Sequence, residues 1–196
     1  MTLRPKRVED RRIQKTRKLL RDALASLIRE KPYDVISIKE ILDRANVGRS
    51  TFYTHFRDKD QLLVSAVHDM LGPVQSARQL AATKPWEGII WFSLPVFEYH
   101  HQHRHSRGDR LGARGQAIVH EYLRKVLAES IADEIGRESP SGRRTASPIP
   151  RNLLAQYVAS TFVLVLNWWL DSRNPLPPRE VNDLFRALIL PTLSAI

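Results

Sequence analysis

The sequence predicts an all-α protein, with an N-terminal helix-turn-helix head of three helices followed by a larger helical body. Three observations predict it. Apolar residues recur mostly at three- and four-residue spacing, and strand-like alternation is rare. Helix start and stop signals divide nearly the whole chain. Two short amphipathic segments are joined by Ala45-Asn46-Val47-Gly48, a sequence suited to a tight turn because Asn tolerates left-handed geometry and Gly is sterically free.

The elements follow in order. Ile13, Leu20, Leu24, Leu27 and Ile28 form one stripe and predict a first helix over about 8–30. Lys31-Pro32 ends it, since a residue before proline disfavours helical geometry. Ser37-Ile38-Lys39-Glu40 reads as a capping box. It opens a second helix with Ile38, Ile41, Leu42 and Ala45 inward. A third helix runs from Arg49 to Phe56. Asp58 then caps a fourth, through Leu62, Leu63, Ala66, Val67 and Met70, with a break expected at Gly72-Pro73. Further helices are predicted over about 74–82, 86–105, 113–135, 151–171 and 179–194. Pro95 should kink or split the second of these. The Pro/Ser/Gly/Arg-rich run from Gly136 to Pro150 reads as a mobile connection.

Composition narrows the functional classes. The 196-residue chain has a formal net charge of +10 and no cysteine. Disulfides, thiolate metal sites and cysteine nucleophiles are therefore excluded, and a reducing cytoplasm is the expected compartment. The basic N-terminal residues are not followed by an apolar stretch, which argues against a secretory signal. Leu153–Leu170 is the most apolar segment, but Gln156, Ser160, Thr161 and Asn167 interrupt it. It reads as a buried helix, and no membrane partner is expected. No phosphate loop, Gly-x-Ser-x-Gly elbow or zinc-protease motif is present, and no motif positions Asp109 or His120 as acid and base, so an enzyme is not expected. His100, His101, His103 and His105 invite a metal reading through spacings of four. Adjacent Arg104 and Arg107 disfavour a cation, and no metal or other cofactor is expected.

Charge distribution points to nucleic acid. Residues 1–21 hold nine Lys or Arg (Arg4, Lys6, Arg7, Arg11, Arg12, Lys15, Arg17, Lys18, Arg21) against Glu9 and Asp10. Alone, this is equally a solvated arm. The third helix gives it meaning. A recognition helix must pack one face and keep the other polar in the major groove. Phe52 and Phe56 lie four apart and, with Val47, anchor the packed face. Arg49, Ser50, Thr51, Tyr53, Thr54 and His55 are left outward, a set of donors, acceptors and methyl groups with no acid to repel phosphate.

Residues 8–70, centred on VISIKEILDRANVGRSTFYTHFRDKDQLL, resemble the DNA-binding head of TetR-family regulators. The shared marks are Phe52-Tyr53-Thr54-His55-Phe56, Lys59 and the leucines that follow, and they cover about a third of the chain. The resemblance implies that Ser37 meets phosphate through its hydroxyl or amide. It implies that Arg49, Ser50 and Thr51 enter the groove, with Arg49 the candidate for bidentate guanine readout. Tyr53, Thr54 and His55 would meet backbone or bases, and Lys59 a phosphate. Gly48 stands where the family often has a hydroxyl, leaving only a backbone amide for that contact. Pro32 stands where it often has glycine.

The expected organisation is a head over residues 1–58 and an effector-binding and dimerising body over 59–196. TetR-type bodies dimerise through their last two helices and in many members bind a small molecule. The apolar segment 151–171 and the stripe within 179–194 suit half of a four-helix seam across a twofold axis, so a homodimer is expected. Trp86, Trp91, Phe92, Phe97, Tyr99 and Tyr122 suit either a ligand cavity or ordinary core. The expected function is a ligand-responsive repressor acting as a homodimer on a palindromic double-stranded DNA operator. An architectural, nucleoid-type DNA-binding protein is the alternative.

Overall fold

A computed structural model describes residues 5–77, 85–102, 111–138, 149–171 and 176–194. Among them are nine α-helices, one 3-10 turn and no strand, as the apolar spacing predicts. The chain divides into two compact units, Met1–Met70 with His105–Val119, and Leu71–Arg104 with His120–Ile196.

In the first unit, α1 spans Pro5–Glu30. It starts earlier than the apolar stripe requires, so the basic segment from Pro5 onward is itself helical. Proline at a first helical position has a preset φ and no amide left wanting. The helix ends before Lys31-Pro32, and a 3-10 turn, Tyr33–Val35, follows. Helix α2, Ile38–Ala45, opens with the capping box: Ser37 Oγ accepts from the Glu40 amide and the Glu40 carboxylate accepts from the Ser37 amide. It closes on Asn46, whose φ of 51° and ψ of 49° are left-handed. Asn46 therefore supplies the turn geometry, while Gly48 is extended at φ −67°, ψ 150°. Helix α3 spans Arg49–His55, and α4 spans Lys59–Ala77.

The expected break at Gly72-Pro73 does not occur; α4 runs through it. Helical geometry before proline is opposed partly by the preceding residue's Cβ, and Gly72 has none. The stretch 78–84, which holds most of the helix predicted over 74–82, lies outside the described residues.

Most of the apolar positions predicted for this unit form its core, to which Tyr33 and Ile36 add, while Ile13 is only partly buried. Leu20, Leu24, Ile41, Phe52, Phe56 and Leu62 are each at most 1% exposed. Each such burial is worth roughly 1.5–3 kcal/mol. The unit also contains the start of α7, Gly112–Glu138, because Leu111, Ile118 and Val119 pack against that core. Gly112 sits at φ +67°, and an added Cβ would fall 2.6 Å from Asp34 Oδ2. At Gly115 it would fall 2.9 Å from Leu111 Cγ and 3.1 Å from the Tyr33 ring.

In the second unit, the helix predicted over 86–105 is split into α5, Pro85–Ile89, and α6, Ser93–Gln102. Pro95 falls in the first turn of α6, where its missing amide removes no bond. Helices α8, Arg151–Asp171, and α9, Pro178–Leu193, complete the unit. Its centre is aromatic. Phe162 meets Phe92 and Phe97 at 5.0 Å and Phe185 at 5.4 Å between ring centroids, and Phe97 meets Trp169 at 5.6 Å. Of the aromatic residues considered for a cavity, Phe92 and Phe97 are thus core. A buried polar pair, Ser93 and Asn182 at 2.7 Å, joins α6 to α9. By length and composition α8 is apolar enough to cross a membrane, and half of that stretch is buried among the other helices. Among the described residues, no group of three or more His, Cys, Asp or Glu is placed to hold a metal. His103 and His105 lie outside the described residues.

Candidate nucleic-acid interface

Helix α3 is anchored by Phe52 and Phe56, whose rings lie 5.9 Å apart, and Phe52 meets Tyr53 edge-on at 5.3 Å. That packing dictates what remains outside. Gly48, Arg49, Ser50, Thr51, Tyr53 and Thr54 are exposed, and His55 is half-buried. The structure therefore brings eight of the nine sequence-predicted residues, from Ser37 to His55, onto the exposed surface of the head or its margin. Within the helix, Thr54 Oγ1 donates to the Ser50 carbonyl at 3.0 Å. The Arg49 guanidinium lies against the Tyr53 ring. Gly48 caps α3 without a side chain, and a Cβ there would meet nothing closer than 3.9 Å.

Ser37 is exposed, but its amide and hydroxyl are both taken by Glu40, at 3.0 and 2.8 Å. Glu40 is in turn held by Lys31. Lys31 and the two Ser37 groups pull the Glu40 carboxyl down to about 2.

Lys59 is the ninth residue, and within the chain it is held by backbone carbonyls. Its ammonium donates to the carbonyl oxygens of Tyr33, Asp34 and Ile36 at 3.0, 3.1 and 2.9 Å, and sits 4.6 Å above the Tyr33 ring. Those three carbonyls end the turn that leads into Ser37. An ammonium has three protons, and these three acceptors use them all.

Around Lys59 lies a network invisible to local sequence patterns. The buried Tyr33 hydroxyl donates to Asp60, and Arg114 of α7 pairs with the same carboxylate at 2.6 Å. Burial raises the Tyr33 pKa, and the hydrogen bond to Asp60 raises it further, so the phenol stays a donor. For Asp60, burial pushes upward, but Tyr33 and Arg114 outweigh it and hold the carboxyl low. Arg17 of α1 is the other residue the local patterns miss. Its guanidinium lies 5.3 Å from the Phe56 centroid, and burial and Arg17 together push His55 below its usual value.

In the second unit, an apolar stripe is open on α8 and α9. Leu153, Tyr157, Leu164 and Trp168 share one face of α8, with Leu164 65% exposed, and Leu184 and Leu188 of α9 are also exposed.

Comparison with known proteins matches both halves of this description. Residues 20–66 fit the family model of bacterial regulatory proteins, tetR family, and residues 91–190 fit a transcriptional regulator C-terminal region. The Uncharacterized HTH-type transcriptional regulator YxbF of Bacillus subtilis (strain 168) is 37% identical over 59 residues, 30% of this chain but 16% of that protein. A TetR regulator from Streptococcus agalactiae 2603V superposes with a TM-score of 0.59 at 24% identity, over 93% of this chain and 97% of the other. RolR in complex with its ligand resorcinol gives 0.60 at 22%, over 93% and 89%. A Putative TetR-family transcriptional regulator from Syntrophomonas wolfei str. Goettingen gives 0.65 at 18%, over 93% and 96%. At these identities the three structures share a fold with this chain.

Proposed function

Because the chain belongs to the TetR family of bacterial transcriptional regulators, and so binds DNA to regulate transcription, we propose that it is a cytoplasmic, ligand-responsive repressor. It acts as a homodimer on a palindromic operator. The observation that carries this reading is the outer face of α3, where Arg49, Ser50, Thr51, Tyr53 and Thr54 stand exposed with no carboxylate among them. In the groove, Arg49 reads a guanine edge, and Ser50, Thr51, Tyr53, Thr54 and His55 meet bases and backbone. Ser37 and the Gly48 amide contact phosphate, Ser37 once DNA competes with Glu40 for its amide. Lys59 joins the phosphate contacts by giving up one carbonyl, and otherwise holds the turn that carries Ser37.

Two heads are needed to read two half-sites about 34 Å apart. The open stripe on α8 and α9 favours a second copy of the chain as the partner, because apolar area of this kind is stabilised by exclusion of water. A small molecule binding in the body supplies control, as RolR takes resorcinol. Its effect travels through α4, which continues from Lys59 past Met70, and changes the spacing of the two recognition helices. Linkage requires operator DNA to weaken ligand binding by the same factor.

The experiment is recovery of genomic DNA bound by the full-length protein. The expected product is one or a few sites with twofold symmetry and half-sites about 10 base pairs apart. Broad recovery of A·T-rich DNA would leave the architectural reading in its place.

A further inference from the structure

Among the described residues, no anion answers the charge of Arg17. It is half-buried on α1, and its Nε is sealed from solvent without a hydrogen-bond partner. Its neighbours on the same helix are satisfied: Lys18 pairs with Asp22 at 2.6 Å, and Arg21 pairs with Asp69 and donates to Ser65. Among the described residues no carboxylate lies within ion-pair distance of Arg17. A partly desolvated guanidinium without an anion is unfavourable, and a ring beneath it compensates only in part. The ring is Phe56, the C-cap of α3. The unanswered charge therefore stands at the end of the recognition helix.

We propose that Arg17 is a DNA-contact residue, whose missing counter-ion is the backbone phosphate flanking the α3 contacts at their His55–Phe56 end. Arg17 is only half-buried, and a guanidinium suits the paired oxygens of a phosphate. Phe56 holds the group in place beforehand, so little side-chain freedom is lost on binding. Burial and Arg17 itself push His55 toward its neutral form, so the cations at this end of α3 are Arg17 and the exposed Arg57 that follows the C-cap. This inference rests on α3 entering the groove as proposed above.

The test uses the full-length protein and the operator it selects, with single phosphates replaced one at a time by neutral methylphosphonates. One flanking position should weaken wild-type binding by about tenfold or more. The same replacement should leave Arg17→Met, which keeps the alkyl stem over Phe56, nearly unaffected. The salt slope of Arg17→Met should also be shallower by about 0.9. Arg17→Lys, which keeps the charge, should retain the wild-type slope and guards against a fold defect in the Met variant. If methylphosphonate effects are the same in wild type and Arg17→Met at every position, with equal slopes, Arg17 is only a packing residue and the inference falls alone. If wild type selects no DNA sequence, the proposed function falls, and the inference with it.

Discussion

The Arg49 guanidinium lies over the Tyr53 ring, 5.7 Å from its centroid, on the exposed face of α3. The two residues are one turn apart, so the ring steadies a long side chain before any base is met. Arg49→Ala should cost roughly 1–3 kcal/mol on the cognate site and relax preference at one base position. Tyr53→Phe keeps the ring under Arg49 and removes one hydroxyl, so it should weaken cognate and scrambled DNA alike. Gel shifts on both DNAs decide it; unchanged operator affinity in both variants would remove α3 from the groove.

The basic start of α1 should add affinity without sequence preference. Deleting residues 1–7 removes Arg4, Lys6 and Arg7. The slope of log affinity against log salt should fall by up to about 0.9 for each phosphate these residues neutralise. An identical slope would mean that they do not touch DNA.

Lys59→Ala should loosen the turn before α2 even without DNA. Three carbonyls are deprived of a charged donor at once. A hydrogen bond to a charged group is worth about 1.5–3 kcal/mol, so a destabilisation of at least that size is expected in denaturant unfolding. DNA affinity should fall as well, because the turn delivers Ser37. Wild-type stability in the variant would show the three hydrogen bonds to be incidental.

Acid should undo the cap of α2 late. The Glu40 carboxyl is lowered from 4.5 to about 2 by Lys31 and Ser37. A depressed folded value means that the stabilisation is complete above about 4.5, and is lost as the pH falls through about 2. Glu40→Gln should therefore be less stable than wild type at neutral pH, and the difference should close toward pH 2. Urea unfolding of both proteins across that window measures it; a difference independent of pH would show that the charge of Glu40 contributes nothing.

Leu164→Asp should yield a monomer. Leu164 is 65% exposed in the single chain and lies mid-stripe on α8, so the variant should keep its helix content while light scattering reports half the mass. A monomeric wild type would refute the twofold model, and a dimeric variant would move the seam elsewhere.

Most of the head was legible in the chain because its signals are local. Ser37 and Glu40 announce one end of α2, Asn46 the other, and Phe52 with Phe56 fixes which face of α3 is turned outward. The same locality explains the misses. Gly72-Pro73 reads as a stop, yet a glycine before proline relieves the clash that normally makes it one. Lys59 looks like a surface cation until the turn at Tyr33–Ile36 is folded against it, 23 to 26 positions away. Arg114 reaches Asp60 across 54 positions. Arg17 is one basic residue among nine by composition, and only the position of Phe56 sets it apart. Such pairings depend on topology, which a spacing pattern does not encode.

Gly112 and Gly115 have a genetic consequence. Every missense change reachable by one nucleotide from a glycine codon introduces a Cβ. At Gly112 that atom meets Asp34 in a left-handed backbone, and at Gly115 it meets the buried ring of Tyr33. The two codons should therefore have no silent amino-acid neighbours. In a saturation screen for loss of regulation they should score with the residues of the recognition helix, although neither glycine belongs to it and their lesions would act through the fold of the head.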